Sequence, residues 1–474
     1  MRAAFLVLTL SLAACPRERI EGTEPGDCSD GADNDADGLF DCGDDGCEGA
    51  PDCEADTDTD TDTDTDTDTD TDADTVPPEG DCVVALDGSG DSSTVQGCVD
   101  AASDGWIILV EPGTYQENLT FDGRSVSIWA TGGAAVTTID AIGVGSTLVI
   151  ERGEHVELTG FTLRGGNGTP SEYNGTPSGA VAFVAGSGLV LRNVVSNGNS
   201  LSGAGGVVFI HDGELEVEGS SFASNDAAGG GALAIMGGSE ATITDCHFEA
   251  NNGNGGPGGA ILIELSDVTV SGSSFLSNLG NHGDGIYFGA QGHRLEVTHS
   301  TFGDHEAAIF TPWDRHREGQ IVVTNCIFSD GAWGVGASGV DLSLVNDVFV
   351  GLSAQAVTCT SNDSEVLNSI FYANTGSCLV DGYVDLRYSL FAGNSGATCN
   401  GGDPPTEAEG NVFSDPLFVG WYDDDDPTND DFHLQAGSPA VDAGYASATY
   451  NDADDSRNDM GAFGGPGGNW NPAW

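Results

Sequence analysis

The chain contains no lysine, and all twelve of its basic residues are arginine. Set against 76 acidic residues, these arginines leave a formal net charge of −64 at pH 7. A surface with this excess of negative charge repels nucleic acid and anionic lipid, and it favours solubility and the binding of cations. We therefore expect no nucleic-acid partner, and we expect a polyanionic glycan to bind only where a cation bridges the two molecules.

Long apolar runs are also lacking, except for a short run over residues 5–12 that follows Arg2. This run is too short to span a bilayer as a helix, and it is typical of a signal peptide. It ends in the letters LAAC at residues 12–15, which resemble the lipobox of bacterial lipoproteins. The resemblance implies a signal peptide over residues 1–15, a lipid on Cys15 as the membrane anchor, and a location outside the cytoplasm, at the outer membrane or cell surface. An ordinary signal peptide that ends in small residues is the alternative.

After a spacer at residues 16–26, residues 27–53 are rich in Asp and Cys. Acidic residues occupy positions 1, 3, 5, 9 and 12 of a loop with glycine at position 6, which is the pattern of an EF-hand calcium loop. These residues are Asp33, Asp35, Asp37, Asp41 and Asp44. Asp44 stands where a bidentate glutamate is usual, so we expect modest affinity for calcium. The segment resembles the Asp- and Cys-rich calcium motif of myxobacterial surface proteins, and a solvated acidic tract is the alternative.

Residues 54–78 form a linker in which Asp and Thr alternate for most of the length. Repeated negative charges at this spacing repel one another and keep the segment extended. We expect the linker to hold the rest of the protein away from its anchor.

Phenylalanine recurs along the rest of the chain at intervals of 20 to 27 residues. The recurring residues are Phe222, Phe248, Phe275, Phe302, Phe328, Phe349, Phe371, Phe391 and Phe413. Alternating apolar and polar residues precede each one, which predicts a half-buried strand. A repeat of this length, built on strands and rich in Gly and Asn, is typical of a solenoid. We predict an all-β fold, a right-handed single-stranded parallel β-helix, with one phenylalanine ring per coil stacked in the interior.

The third position after the phenylalanine is a turn position that holds asparagine in most coils, as in Asn225, Asn251 and Asn278. Asparagine tolerates a left-handed backbone, and its amide can bond to the next coil. The sequence therefore predicts a structural ladder of asparagine side chains along the solenoid.

Both ends of the predicted β-helix, which we place at residues 79–416, have their own patterns. Val95, Cys98, Val99 and Ala102 share one helical face, which predicts a cap over the first coil, and Cys82 is placed to bond to Cys98. The opening segments STVQGCVDAASDG and GTYQE resemble those of pectin-lyase-like proteins. The terminal segment, residues 417–474, resembles the end of many secreted bacterial β-helix proteins. The repeats FASN and FEAN, each followed by GGA, resemble those of the chlamydial polymorphic outer-membrane proteins, which are adhesin-like.

A column of apolar residues is predicted to point out of the coils, because its members alternate with core positions in the strand after the asparagine turn. Its members are Phe209, Ala234, Leu262, Tyr287 and Phe310. Cover beneath a long loop and a contact with another element are two explanations for such a column, and a platform for sugar rings is the third. On the third explanation the candidate ligand-binding residues are Phe209, Leu262, Tyr287, Phe310 and Trp313.

The coil that contains Phe302 departs from the repeat, because histidine replaces the ladder asparagine and acidic residues flank it. The candidate catalytic residues of this region are Asp284, Asp304, His305, Glu306, Arg315 and His316. Paired carboxylates are suited to general acid and base catalysis of glycan cleavage, and an arginine is suited to neutralising a uronate. A charged surface loop without a catalytic role is the alternative.

Catalytic signatures of related enzymes are absent. The sequence lacks the NTD, GHG and R-x-K motifs of polygalacturonases, the R-x-P-x-x-R strand of pectate lyases and the DFIFG segment of pectin methylesterases. We therefore predict a non-catalytic, envelope-anchored, adhesin-like protein that binds a glycan, such as a cell-surface polysaccharide, with calcium in its N-terminal segment. A polysaccharide lyase or glycoside hydrolase that acts around residues 282–318 is one alternative, and a purely structural spacer is another.

Overall fold

The computed structural model describes residues 77–170, 175–312, 318–361, 363–399, 404–422, 424 and 426–472. The predicted signal peptide, lipidation site and calcium-binding segment lie outside these residues, as does nearly all of the predicted linker. Trp313, Arg315 and His316 lie outside them too. Within the described residues, no helix is long and apolar enough to cross a membrane.

Three long parallel sheets enclose the interior, and successive coils add one strand to each sheet in turn. Sheet A contains β1 (Cys82–Val84), β2 (Trp106–Val110), β5 (Val126–Ala130), β8 (His155–Thr159), β13 (Gly188–Arg192), β16 (Glu214–Glu218), β19 (Glu240–Thr244), β22 (Asp267–Ser271), β25 (Arg294–Thr298), β28 (Gln320–Thr324), β31 (Asp341–Val345), β34 (Glu365–Leu367) and β37 (Asp385–Arg387). Every second side chain of a strand points inward. In β16, for example, Leu215 and Val217 are buried while Glu216 faces outward.

Sheets B and C contain twelve strands each. Sheet B contains β3 (Gly113–Tyr115), β6 (Thr137–Asp140), β9 (Thr162–Arg164), β14 (Val195–Asn197), β17 (Ser221–Ala223), β20 (His247–Glu249), β23 (Ser274–Leu276), β26 (Thr301–Gly303), β29 (Ile327–Ser329), β32 (Val348–Val350), β35 (Ile370–Tyr372) and β38 (Leu390–Ala392). Sheet C contains β4 (Leu119–Thr120), β7 (Leu148–Ile150), β12 (Ala182–Ala185), β15 (Val208–His211), β18 (Leu233–Met236), β21 (Ile261–Glu264), β24 (Ile286–Phe288), β27 (Ala307–Phe310), β30 (Trp333–Ala337), β33 (Val357–Cys359), β36 (Cys378–Gly382) and β39 (Ala397–Cys399). The chain thus forms the right-handed parallel β-helix that the repeat predicts.

Short elements complete the fold. The antiparallel hairpins are β10 (Thr169–Pro170) with β11 (Pro177–Ser178), and β40 (Phe418–Gly420) with β41 (Asp431–Leu434). Helix α1 (Val95–Ala101) precedes β2, and 3-10 turns lie at Glu407–Glu409 and Pro427–Asn429.

The predicted phenylalanine stack runs through the interior. From Phe248 to Phe391, successive ring centroids lie 4.7–5.0 Å apart. This distance matches the spacing of hydrogen-bonded strands, so each ring can lie flat on the ring of the next coil. Phe413 completes the stack at 6.0 Å from Phe391, and it is 46% exposed because it lies at the C-terminal end of the solenoid.

The predicted asparagine ladder is also present. Asn251 Nδ2 donates to Asn278 Oδ1 at 3.0 Å, and Asn278 Nδ2 donates to the carbonyl oxygen of Phe248 at 2.8 Å. The ladder begins one coil earlier than predicted, at Asn199, whose Nδ2 donates to Asn225 Oδ1 at 3.0 Å. The sequence repeat does not reveal this rung, because Ser196 takes the place of the phenylalanine in that coil.

Helix α1 caps the N-terminal end as predicted. Val95, Cys98 and Val99 are fully buried, and Cys98 forms a disulfide with Cys82 of β1. Thr94 caps the helix by accepting the N–H of Gly97 at 3.1 Å. The cap covers an end of the solenoid that would otherwise expose strand edges and apolar side chains.

The C-terminal strap, defined as the described residues from 418 to 470, folds back over the outer face of sheet B. An apolar cluster joins outward residues of sheet B to the strap, and it contains Ile327, Val348, Val350, Ile370 and Leu390 with Phe418, Phe432, Ala440, Met460 and Ala462. In earlier coils the equivalent outward positions are polar, as in Ser221, Ser274 and Thr301. This outward position is therefore polar from β17 to β26 and apolar from β29 to β38, the strands that the strap covers.

Candidate functional site

Four of the six candidate catalytic residues lie together at the corner where sheet B leads into sheet C. Asp284, Asp304, His305 and Glu306 line an open depression of about 540 Å³. Arg315 and His316 lie outside the described residues. The alignment of coils therefore brings the four described residues to one place, and their contacts indicate what each can do.

Asp284 acts as a buried acceptor for the main chain. It is 1% exposed, and its carboxylate accepts the N–H of Gly280 at 2.7 Å and the N–H of Ala307 at 3.0 Å. Burial raises the pKa of Asp284, and these hydrogen bonds act in the opposite direction. The carboxylate links the loop before β24 to β27. Its oxygens are therefore used as acceptors for main-chain N–H groups, which is a structural role.

His305 is a rung of the asparagine ladder. It is 4% exposed, and its Nε2 lies 3.4 Å from Asn278 Nδ2. Burial lowers the pKa of His305 to about 3, so the imidazole is neutral at physiological pH. Its Nδ1 has no hydrogen-bond partner among the described residues. A buried neutral imidazole in a structural ladder is poorly placed for proton exchange with a substrate.

Asp304 and Glu306 are the exposed carboxylates of this corner. Asp304 Oδ2 accepts the hydroxyl hydrogen of Ser277 at 2.7 Å, and Asp304 has a positive φ of 55° at the turn. In the described part of the chain, no group of three or more His, Cys, Asp or Glu side chains could hold a metal ion. The corner thus offers two solvated carboxylates beside two buried structural groups.

The outward column of sheet C is covered. Phe209, Leu262, Tyr287 and Phe310 lie outside the coil interior as predicted, but each is less than 8% exposed. They form a second apolar cluster, separate from the main core, together with Phe183 and Ala234. The expectation of an open platform for a sugar ring is therefore not met by these side chains, and Trp313 lies outside the described residues.

Glycine-rich loops between sheets B and C provide the cover. A Cβ atom at Gly229 would lie 3.1 Å from Leu262 Cδ2, and one at Gly230 would lie 3.1 Å from Leu262 Cβ. The ring of His282 stacks on Phe310 with centroids 5.0 Å apart. This arrangement corresponds to the explanation of cover beneath a long loop.

A second depression, of about 390 Å³, crosses the outer face of sheet A from β8 to β25. Its polar and charged lining residues are His155, Glu214, Glu216, Glu240, Thr242, Asp267, Thr269, Arg294 and Glu296. None of these residues breaks the sequence repeat, so this surface was not predicted from the sequence. A sequence pattern marks this surface, because three successive strands of sheet A begin with an acid, in ELEVE, EATIT and DVTVS.

Parallel register places three acids of this surface in one column. Glu214 is in register with Glu240, and Glu240 is in register with Asp267. Adjacent strands lie about 4.8 Å apart, and like charges at directly opposed positions are destabilising. Within the described residues, neither Glu214 nor Glu240 forms an ion pair.

Neighbouring acids on the same face are paired. Arg192 bonds to Glu157 at 3.1 Å, to Glu216 at 2.7 Å and to Glu218 at 2.9 Å. Arg294 bonds to Glu296 at 2.9 Å. The pairing leaves Glu214, Glu240 and Asp267 as carboxylates of the depression without an arginine partner. Asp267 Oδ2 lies 3.1 Å from His293 Nδ1 instead, so Glu214 and Glu240 are the two that form no ion pair among the described residues.

Comparison with known proteins identifies the architecture. Residues 149–413, more than half of the chain, match the family described as right handed beta helix region. Among solved structures, pectin methylesterase from carrot is similar with a TM-score of 0.38 and 15% identity, over 56% of this chain and 87% of that one. No curated protein matches the sequence.

Proposed function

The chain belongs to the right-handed β-helix family, and from this premise we propose that it is a non-catalytic binding protein whose ligand lies along the outer face of sheet A. The ligand is a glycan that carries hydroxyl or amino groups and no acidic groups. The observation that carries this proposal is the depression across β8 to β25, in which Glu214, Glu240 and Asp267 repeat at the strand spacing.

The repeat of acceptors favours an extended polymer as the ligand. Carboxylates form short, strong hydrogen bonds with hydroxyl and amino donors. Acceptors in one column meet such donors at regular intervals along a linear chain, whereas a compact ligand reaches only one or two of them. The same negative charge repels a polyuronate, so we propose a neutral or amine-bearing glycan.

The absence of catalysis is supported by the contacts at the other depression. Asp284 is occupied by main-chain N–H groups, and His305 is neutral and buried. A general acid and base must exchange protons with a substrate, and these two groups are held away from that role.

We propose in addition that the N-terminal segments present the solenoid at the cell envelope. In this arrangement Cys15 carries the lipid, residues 27–53 bind calcium and the linker extends from the anchor. These assignments are based on the sequence patterns alone.

The test is retention of the full chain on immobilised glycans: a neutral polymer, a polymer with free amino groups and a polyuronate. The variant Glu214→Gln with Glu240→Gln removes both unpaired acceptor charges. Loss of charge-assisted hydrogen bonds should weaken binding by about tenfold or more. The control is Glu365→Gln with Asp385→Asn, which makes the same charge change on sheet A outside the depression and also removes the two ion pairs of Arg387.

Retention of a neutral or amine-bearing polymer that is lost in the first variant and kept in the second supports the proposal. Equal retention of the wild type and both variants would show that the glycan binds outside this depression, against the proposal. The length of each polymer is measured after incubation, and shortened products would overturn the non-catalytic assignment in favour of a lyase or hydrolase.

A further inference from the structure

Two arginine ion pairs flank the depression on sheet A, one at each end. At one end Arg192 bonds to Glu216 of β16 at 2.7 Å. At the other end Arg294 bonds to Glu296 of β25 at 2.9 Å, and its Nη1 also donates to Gln320 Oε1 at 3.1 Å. The carboxylates at the two ends are therefore each occupied by a guanidinium.

Between the arginine pairs, the depression offers hydroxyls and carboxylates that face solvent. Thr242 and Thr269 lie in register between the two arginine-bound glutamates, and both are exposed. The column two residues earlier in each strand contains Glu214, Glu240 and Asp267, which are exposed as well. The open part of the depression therefore spans three strands, which is about 10 Å along the solenoid.

The column of acids also ends at a different group on each side. On the β8 side the next position is Gly188, and a Cβ atom there would overlap the ring of His155, so the histidine fills the space above this glycine. On the β25 side the next position is Arg294, whose N–H is donated to Asp267 Oδ1 at 2.6 Å. A chain that follows the column therefore meets an imidazole at one end and a guanidinium at the other.

We propose that this depression binds a segment of three successive sugar units that carry free amines, and that His155 and Arg294 set this length. This proposal rests on the proposed function, because both concern the glycan that lies along sheet A. It adds that the units are amine-bearing rather than neutral, and that the site accommodates three of them.

Free amines suit the column because two of its carboxylates lack a cation. Parallel register places Glu214 beside Glu240, about one strand spacing of 4.8 Å apart, and like charges so placed repel each other. An ammonium group forms charge-assisted hydrogen bonds with both carboxylates and removes this repulsion. An acetylated amine carries no charge, so it leaves the repulsion in place.

The spacing of the strands sets the number of units. An extended chain of sugars advances by a distance similar to the strand spacing at each unit, so three successive units reach from Glu214 to Asp267. A fourth unit would lie over Arg294, where its ammonium meets a cation, or over His155, where it meets an imidazole in place of a carboxylate. Affinity should therefore rise with chain length up to three units and then level off.

The test is calorimetric titration of the full chain with linear glucosamine oligomers of one to six units and with their N-acetylated counterparts. Affinity should rise about tenfold with each added unit up to three, as one charged hydrogen bond per unit supplies, and by less than about threefold from three units to six. The acetylated trimer should bind at least about tenfold more weakly than the free-amine trimer. A lysine trimer should also bind more weakly, because it offers no hydroxyl groups to Thr242 and Thr269.

Two variants should move the length at which affinity levels off, in opposite directions. Asp267→Asn keeps an oxygen acceptor for the N–H of Arg294 and removes the last charge of the column, so affinity should level off at two units. Arg294→Glu places a carboxylate in register after Asp267, so affinity should level off at four units. Arg387→Glu is the matched control, because it removes an ion-paired arginine of sheet A outside the depression, and affinity should still level off at three units.

The possible outcomes distinguish this proposal from the proposed function. If no oligomer binds, if binding is unchanged in Glu214→Gln with Glu240→Gln, or if the lysine trimer binds as tightly as the glucosamine trimer, both are wrong. If that double variant abolishes binding but wild-type affinity keeps rising up to six units, or the acetylated oligomers bind equally well, this proposal is wrong and the proposed function stands. The same holds if affinity levels off at three units in both Asp267→Asn and Arg294→Glu.

Discussion

A buried aspartate interrupts a ladder of serine side chains inside the solenoid, and its replacement should stabilise the protein. The ladder lies at the turns before the strands of sheet B from β17 to β38, and Cys246 and Cys326 take the place of serine in two of its rungs. Its regular rung is a serine whose hydroxyl accepts an N–H from the preceding coil and donates to a carbonyl two residues earlier. Ser273 Oγ, for example, accepts the N–H of Cys246 at 3.1 Å and donates to the carbonyl oxygen of Ser271 at 2.9 Å.

Asp347 satisfies only half of this pattern. It is 0% exposed, and its Oδ1 accepts the N–H of Cys326 at 2.9 Å. Its Oδ2 has no partner among the described residues. Burial raises the pKa of Asp347 well above its ordinary value, since a charge in this interior is poorly solvated.

The variant Asp347→Ser restores the regular rung. A buried polar atom without a partner costs about 1–3 kcal/mol, and a small void after the substitution offsets part of the gain. We expect the variant to be more stable by about 1 kcal/mol at pH 4. Because the raised pKa makes the wild type lose stability as the pH rises, the difference should grow by up to about 1.4 kcal/mol per pH unit between pH 4 and pH 6.

The assay is urea denaturation of the full chain at pH 4, 5 and 6, followed by circular dichroism. Ser369→Asp is the reciprocal control, because Ser369 is the next rung and accepts the N–H of Asp347 at 3.1 Å. It should destabilise the protein and steepen its loss of stability with pH. If Asp347→Ser has the same stability and the same pH dependence as wild type, the carboxyl is not an unsatisfied group and the reasoning fails.

Three further outcomes are expected. His305→Asn should raise stability by about 1 kcal/mol in thermal or urea unfolding, because it restores the ladder amide and removes a buried nitrogen without a partner; a loss of stability would show that the imidazole is needed. Phe275→Ala should lower the free energy of unfolding by about 3–5 kcal/mol, whereas Phe413→Ala at the exposed end should cost clearly less; equal costs would contradict the stack as a core element. Asp33→Ala with Asp35→Ala should abolish a calcium-dependent thermal shift of the N-terminal segment, and an unchanged shift would exclude the EF-hand-type assignment.

The periodic parts of the fold could be predicted from the sequence. Phenylalanine at a fixed place in each coil predicts the stack, and asparagine three residues later predicts the ladder. The helical cap could be predicted because Val95, Cys98 and Val99 share a helical face. Each of these features repeats or alternates along the chain, so one-dimensional spacing carries the information.

The path of the loops could not be predicted from the sequence in the same way. Intervals of 26 or 27 residues shorten to between 20 and 22 after Phe328, where the coils lack the longer connections between sheets B and C. The glycine-rich connections around Gly229 and Gly258 have no side-chain pattern, so the sequence does not show that they cover Leu262. The sequence therefore predicted the direction of the outward column and left its exposure open between cover beneath a loop, a contact with another element and an open platform.

The depression on sheet A was missed for a different reason. Glu214, Glu240 and Asp267 each occupy an ordinary outward position in an alternating strand, so each looks like a solvated charge by itself. Their significance depends on register across three coils, and residues that break the repeat do not reveal it. An acid that obeys the repeat in successive coils is the signal that would have found this surface.

The coil-to-coil ladders make the solenoid a molecular ruler. The asparagine, serine and phenylalanine rungs form their ladder contacts with adjacent coils, so a whole coil can be gained or lost while the remaining rungs stay in register. Coils of unequal length coexist here because the connections outside the sheets absorb the difference. The distance between the capped end and the open end can therefore change during evolution in steps of about 4.8 Å, with the depression on sheet A left intact.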